Sequence, residues 1–131
     1  GEATVPKVTV TLRKSYGGAH ITMSCKQLRG DINYAWPSAN IAVMGADGAV
    51  GIIYGKEIKA ETNPQKQAEL VETRKQEYND FFCNPYQAAK KGYIEDIIEP
   101  RNTRFRVIRA LEALNGKRQE LPAKKHDNLP L

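Results

Sequence analysis

Val8-Thr9-Val10-Thr11-Leu12-Arg13-Lys14-Ser15-Tyr16-Gly17-Gly18-Ala19-His20-Ile21 decides how this chain folds. From Lys7 to Leu12 β-branched residues dominate, the composition and alternation of a strand. A glycine pair follows, and the next residues read as a helix running to about Lys26. Glycines at such a junction let the backbone approach a ligand closely, while the helix start presents N–H groups that have no partner within the helix. Main chain alone can build an anion or oxyanion site this way.

A second unit repeats the design. Ile41-Ala42-Val43-Met44 reads as a strand, Gly45 as its end, and Asp47 to Ile58 as a helix. Between the two units, Asp31-Ile32-Asn33-Tyr34-Ala35-Trp36-Pro37 is either a short strand or an extended loop, since Pro37 ends it. Downstream, Asn63-Pro64 pairs a capping side chain with a first-turn proline, which predicts a helix to about Phe82. Its apolar stripe, Ala68, Val71, Tyr78 and Phe82, is thin, so the helix is expected to project from the body or pack on a partner.

Asn84-Pro85 starts a short helix ending at Gly92, Tyr93 to Ile98 reads as a strand, and Pro100 breaks it. A last helix is expected from about Asn102 to Leu114, capped by Asn115-Gly116, with Phe105, Ile108 and Leu111 facing inward. From Lys117 onward Pro122 and Pro130 leave an extended tail. Strands alternating with helices imply an α/β layered unit with mainly parallel strands.

The chain has 131 residues, 40% of them hydrophobic, which suits one folded domain. Its formal charge of +5 raises nucleic acid as a partner. The pattern argues against it: basic residues are interleaved with Glu and Asp from Glu57 to Glu112, as on a solvated surface. No apolar run approaches the ~18 residues of a membrane helix, and no signal pattern opens the chain, so a cytoplasmic or mitochondrial matrix location is expected. Gly1-Glu2-Ala3 lacks an initiator methionine and reads as the start of an excised piece. Cys25 and Cys83 have neither metal-ligand nor disulfide-framework spacing and read as packed free thiols.

Several motifs have two readings. Met44-Gly45-Ala46-Asp47-Gly48-Ala49 is rich in small residues, which close helix–strand packing explains as well as a ligand does; neither GxGxxG nor a phosphate-binding loop is present. His20 and His126 are the only histidines, and no serine or cysteine forms an evident nucleophile elbow with either. His20 either lines a pocket or is simply exposed. Trp36, Tyr34 and Tyr86 read as core or interface aromatics. The junction thus has no obvious acid, base or metal beside it, and chemistry there must rest on main-chain dipoles and positioning.

These residues carry a resemblance. The run from Arg13 to Ile21, Gly30-Asp31-Ile32-Asn33-Tyr34-Ala35-Trp36-Pro37, Ile41 to Ala46, Asn84-Pro85-Tyr86 with Ala88-Ala89 and Gly92-Tyr93, and the closing Lys124-Lys125-His126 with Asn128 and Pro130-Leu131 resemble the carboxyltransferase (beta) subunits of biotin-dependent acyl-CoA carboxylases. Propionyl-CoA carboxylase beta chains and the methylmalonyl-CoA carboxyltransferase and decarboxylase subunits are the most similar members.

The resemblance implies a crotonase-like (ClpP/crotonase) fold of repeated strand-strand-helix units, with residues 1–131 as the C-terminal portion of a longer subunit's C-terminal domain. It implies carboxyl transfer between carboxybiotin and a short-chain acyl-CoA, with the Gly18 and Ala19 N–H groups binding the biotin ureido oxygen and no side-chain base required. Tyr16, Gly17, Met44, Gly45 and Ala46 would line the biotin pocket, and His20 and Ile21 would influence acyl choice. Biotin would arrive on a separate carrier protein. The subunit would form a homo-oligomer and work with biotin carboxylase or decarboxylase subunits, without nucleic acid, membrane insertion or a metal in this chain.

Two departures stand out. Propionyl-CoA enzymes typically read Gly-Gly-Ala-Tyr-Asp where this chain reads Gly17-Gly18-Ala19-His20-Ile21, and Asp127 replaces the usual glycine of the tail. The alternative for the excised chain, taken alone, is a catalytically inactive assembly module, a reading compatible with the enzymatic one for the parent subunit.

Overall fold

Residues 8 to 11 form the expected first strand, β1 (Val8–Thr11), but the strand does not run on into the glycines. In the computed structural model, which describes residue 1 and residues 3–120, the chain leaves its sheet at Leu12 and Arg13. It then starts β2 (Lys14–Tyr16) in a second sheet. The cause lies in the neighbouring strand, β3 (Ile32–Ala35), which settles the strand-or-loop question at Asp31 to Pro37. Trp36 N–H still donates to the Thr11 carbonyl, at 2.9 Å, but Pro37 has no N–H to continue the ladder. Pairing resumes when Asn40 N–H meets the Arg13 carbonyl at 2.6 Å and β4 (Asn40–Ala42) aligns with β2.

Among the described residues all strand pairings are parallel, as the alternation of strands and helices implied. The first sheet has the order β1-β3-β5, with Val8 opposite Ile32 and Tyr34 opposite Asp96; β5 is Asp96–Ile97. The second is β2-β4, with Lys14 opposite Asn40 and Tyr16 opposite Ala42. β5 is shorter than the Tyr93–Ile98 reading because Tyr93 N–H is bound back to the Ala88 carbonyl at 2.9 Å, completing the preceding helix end.

The helices follow their local signals with instructive exceptions. α1 (Gly17–Thr22) stops four residues before Lys26, and Ser24 and Arg29 turn the chain with positive φ angles of 66° and 61°. The helix expected from Asp47 to Ile58 is two, α2 (Ala46–Ile53) and α3 (Gly55–Ala60), divided at Tyr54, whose φ of −108° leaves the helical range. α4 (Pro64–Phe82) starts where Asn63 Oδ1 accepts the Gln65 N–H at 3.0 Å. α5 (Pro85–Lys90) is capped likewise by Asn84, at 3.1 Å from the Gln87 N–H, and Gly92 leaves it at φ +73°. α6 is Thr103–Ala113.

Two faces differ from expectation. α4 does not project: Tyr78 is buried against α2 with Ala46, Ala49, Val50 and Cys83, and Arg74 and Lys75 pair with Glu57 and Asp47 of the neighbouring helices. α6 turns Phe105, Ile108 and Leu111 outward, at 60%, 43% and 45% exposure. Its inner face is Thr103, Arg106 and Ala110 instead. Ala110 is buried with Tyr34 and Ile98, Thr103 accepts from Trp36 Nε1 at 2.9 Å, and Arg106 pairs with Asp96 over the Tyr34 ring. A small residue at the contact lets the helix approach the sheet closely. Tyr86 is exposed, while Cys25 and Cys83 are both buried free thiols, as read. The readings of Lys124-Lys125-His126, Asp127, Pro122 and Pro130-Leu131 lie outside the described residues.

Candidate functional site

Parallel pairing of β2 with β4 sets their ends side by side, so the two glycine junctions meet. Gly17 follows β2 with φ +51°, and a Cβ built there would lie 2.8 Å from the Val43 carbonyl oxygen. Both facts require glycine: the backbone is left-handed and the neighbouring junction leaves no room. Gly45 has an ordinary extended backbone, and its Cβ would lie 3.3 Å from the Tyr16 ring. Each junction therefore packs against the other, Gly17 on Val43 and Gly45 on Tyr16.

Gly18 differs from both. A Cβ there would meet nothing within 4 Å, so the space beside it is open. Gly18 and Ala19 are exposed in the first turn of α1, where N–H groups have no carbonyl four residues back within the helix. Among the described residues neither N–H donates to a protein acceptor. Two main-chain donors thus border an open space, held by a turn that tolerates no other residue at Gly17.

His20 comes next and is half-buried, its Nδ1 2.9 Å from Ser15 Oγ on β2. Burial holds its pKa below the ordinary 6.5, so the ring is uncharged at neutral pH. Ile21 is 45% exposed beside it. Across the junction Val43 is exposed, whereas Met44 is half-buried and its carbonyl accepts from Tyr78 OH at 3.3 Å. Ala46 lies in the core between α2 and α4, where it seats the second helix. Residues from both junctions therefore come together, with Tyr16 as the contact between them.

Ser15 escaped the sequence reading. The pair it makes with His20 is not a nucleophile elbow, because Ser15 sits within a strand and not at the tip of the strand-to-helix turn. Its only sequence signal is a hydroxyl and an imidazole flanking a glycine turn. Among the described residues no cluster of three or more His, Cys, Asp or Glu side chains is placed to hold a metal, and no helix is long and apolar enough to cross a membrane.

The family described as carboxyl transferase domain matches residues 1–129. The methylmalonyl-CoA decarboxylase subunit alpha of Propionigenium modestum is 52% identical over 130 residues, covering 99% of this chain and 25% of that protein. The propionyl-CoA carboxylase beta chain of Cereibacter sphaeroides is 52% identical over 131 residues, covering 100% of this chain and 24% of that protein. Among solved structures, the transcarboxylase 12S hexamer with methylmalonyl-coenzyme A and methylmalonic acid bound superposes with a TM-score of 0.86 at 49% identity, covering 99% of this chain and 24% of that one. The chain spans about a quarter of the length of the curated relatives it matches.

Proposed function

The chain belongs to the carboxyl transferase domain family, and on that premise we propose that it supplies the biotin side of a site moving a carboxyl group between carboxybiotin and a short-chain acyl-CoA. Its fold is the crotonase-like α/β fold of that family, with parallel strands feeding helices at β2–α1 and β4–α2. Within the parent subunit, residues 1–131 are read as the C-terminal portion of the C-terminal domain.

One observation carries the proposal: the unpartnered Gly18 and Ala19 N–H groups beside the space that a Cβ on Gly18 would enter. That opening lets a ligand come close to the main chain. Biotin, when bound, contributes the carboxyl group and a ureido oxygen on which negative charge develops. Gly18 and Ala19 donate to that oxygen, and because Gly17 is locked against Val43 the donors need no rearrangement as charge grows. Removing one preorganised donor of this kind typically costs about 10²- to 10³-fold in rate. Tyr16, Gly17, Met44 and Gly45 form the wall, with Ala46 fixing α2 behind it.

His20 and Ile21 stand where the acyl group would be chosen. An aliphatic Ile21, in place of the carboxylate typical of propionyl-CoA enzymes, supports acceptance of acetyl-CoA as well as propionyl-CoA. The proposed assembly is a homo-oligomer of the full subunit, served by a biotin carboxyl carrier protein and a biotin carboxylase partner, in the cytoplasm or mitochondrial matrix. Methylmalonyl-CoA decarboxylase and transcarboxylase roles use the same site and differ in partner subunits. A decarboxylase is among the similar relatives and a transcarboxylase among the similar structures.

The test is biotin-dependent carboxyl exchange by the full subunit with acetyl-, propionyl- and methylmalonyl-CoA. Exchange with at least one is expected; none with any of the three rejects the proposal and leaves the chain an assembly module.

A further inference from the structure

Ser15 and His20 reach each other across the glycine turn, from β2 and from α1. Oγ to Nδ1 is 2.9 Å, and among the described residues neither side chain makes another hydrogen bond. Both are half-buried. The Ser15 hydroxyl can accept from an Nδ1–H of the ring, or it can donate to an unprotonated Nδ1. The second polarity puts the ring's own proton on Nε2. The Nε2–H then has no protein acceptor among the described residues, on a residue that directly follows the two main-chain donors.

Resting on the carboxyl-transfer reading above, we propose that Ser15 is a positioning residue. It holds His20 in the Nε2–H tautomer, so that the imidazole offers the bound acyl-CoA a hydrogen-bond donor and, with Ile21, sets acyl preference. The pair sits within the Lys14-Ser15-Tyr16-Gly17-Gly18-Ala19-His20 run, so the imidazole is tied to the strand that precedes the glycine turn. The ring's orientation comes from a bond outside its own helix, which fixes it before substrate arrives.

Two measurements on the full subunit test this. The first compares kcat and KM for acetyl- and propionyl-CoA exchange in wild type, Ser15→Ala, Ser15→Thr, His20→Gln and the Ser15→Ala/His20→Gln double variant. Ser15→Ala and His20→Gln should each change the ratio of the two kcat/KM values about fivefold, mainly through KM, as for loss of one hydrogen bond. The double variant should do no more than either single one, and Ser15→Thr should restore the ratio. Additive effects, or single variants with the wild-type ratio, overturn the proposal.

The second measurement is the histidine ¹⁵N spectrum, with the His20 resonance identified by its loss in His20→Gln. A single Nε2–H tautomer is expected, becoming a mixture in Ser15→Ala. An Nδ1–H tautomer in wild type overturns the positioning role whether or not transfer occurs. The expected tautomer in a subunit with no exchange activity instead rejects the carboxyl-transfer reading while the pairing stands.

Discussion

The chain turns from strand to helix through glycine twice, after β2 and after β4, and the two junctions use glycine for different reasons. After β4, Gly45 has a backbone any residue adopts and is small because the Tyr16 ring lies against it. After β2, Gly17 is forced by a left-handed backbone and by the Val43 carbonyl, while Gly18 needs no room for the protein at all. A glycine crowded by protein is explained by packing. A glycine facing open space beside unpartnered N–H groups leaves room for a ligand, and of these two junctions the first has such a glycine.

The contrast breaks most readily at Gly17. Gly17→Ala places a side chain in the left-handed region and into a carbonyl oxygen that belongs to backbone, so it should destabilise by about 2 to 4 kcal/mol. A clear drop in the melting temperature of the full subunit checks this, and an unshifted melt would show that the turn is not locked as described. Gly45→Ala meets only ring carbons, which can shift by a few tenths of an ångström, and alanine also restricts the unfolded chain. Its net effect on stability should stay within about 1 kcal/mol. If its melt falls as far as that of Gly17→Ala, the two glycines are equivalent and the contrast fails.

The smallest effect comes from His20, the titratable side chain of the first junction. Its folded pKa is lowered by burial, so below the ordinary 6.5 the unfolded chain binds a proton that the folded chain still refuses. Stability is therefore full above 6.5 and falls as pH drops toward the folded value. Between about pH 7.5 and about pH 5.5 the wild-type subunit should lose more melting temperature than His20→Gln does. Equal losses would place no buried neutral imidazole at the junction.

Local chemistry was legible in the sequence where one side chain settles a backbone. Asn63-Pro64 and Asn84-Pro85 gave the starts of α4 and α5, and Gly92 the exit from α5, because capping and left-handed turns are decided within a few residues. Features decided by a distant partner were not legible. The break at Leu12 and Arg13 follows from Pro37 on the neighbouring strand, not from any turn residue of its own. The buried face of α6 was not legible either, because apolar spacing marks Phe105, Ile108 and Leu111, whereas the contact surface uses small Ala110 and the reach of Arg106.

For the site, the sequence marked the Gly17-Gly18 turn, and the family resemblance marked the donors. It could not show that Gly17 abuts Val43, nor that Ser15 reaches His20, since both depend on how two strands are set side by side.

Gly18 offers the most direct test of the claim that main-chain N–H groups do the chemistry. In the full subunit, Gly18→Pro deletes one donor, while Gly18→Ala keeps the N–H and adds a methyl that the protein itself leaves room for. Carboxyl exchange should fall about 10²- to 10³-fold in Gly18→Pro, and far less in Gly18→Ala, with acyl-CoA binding retained in both. A folded Gly18→Pro subunit exchanging carboxyl groups at the wild-type rate would contradict the account.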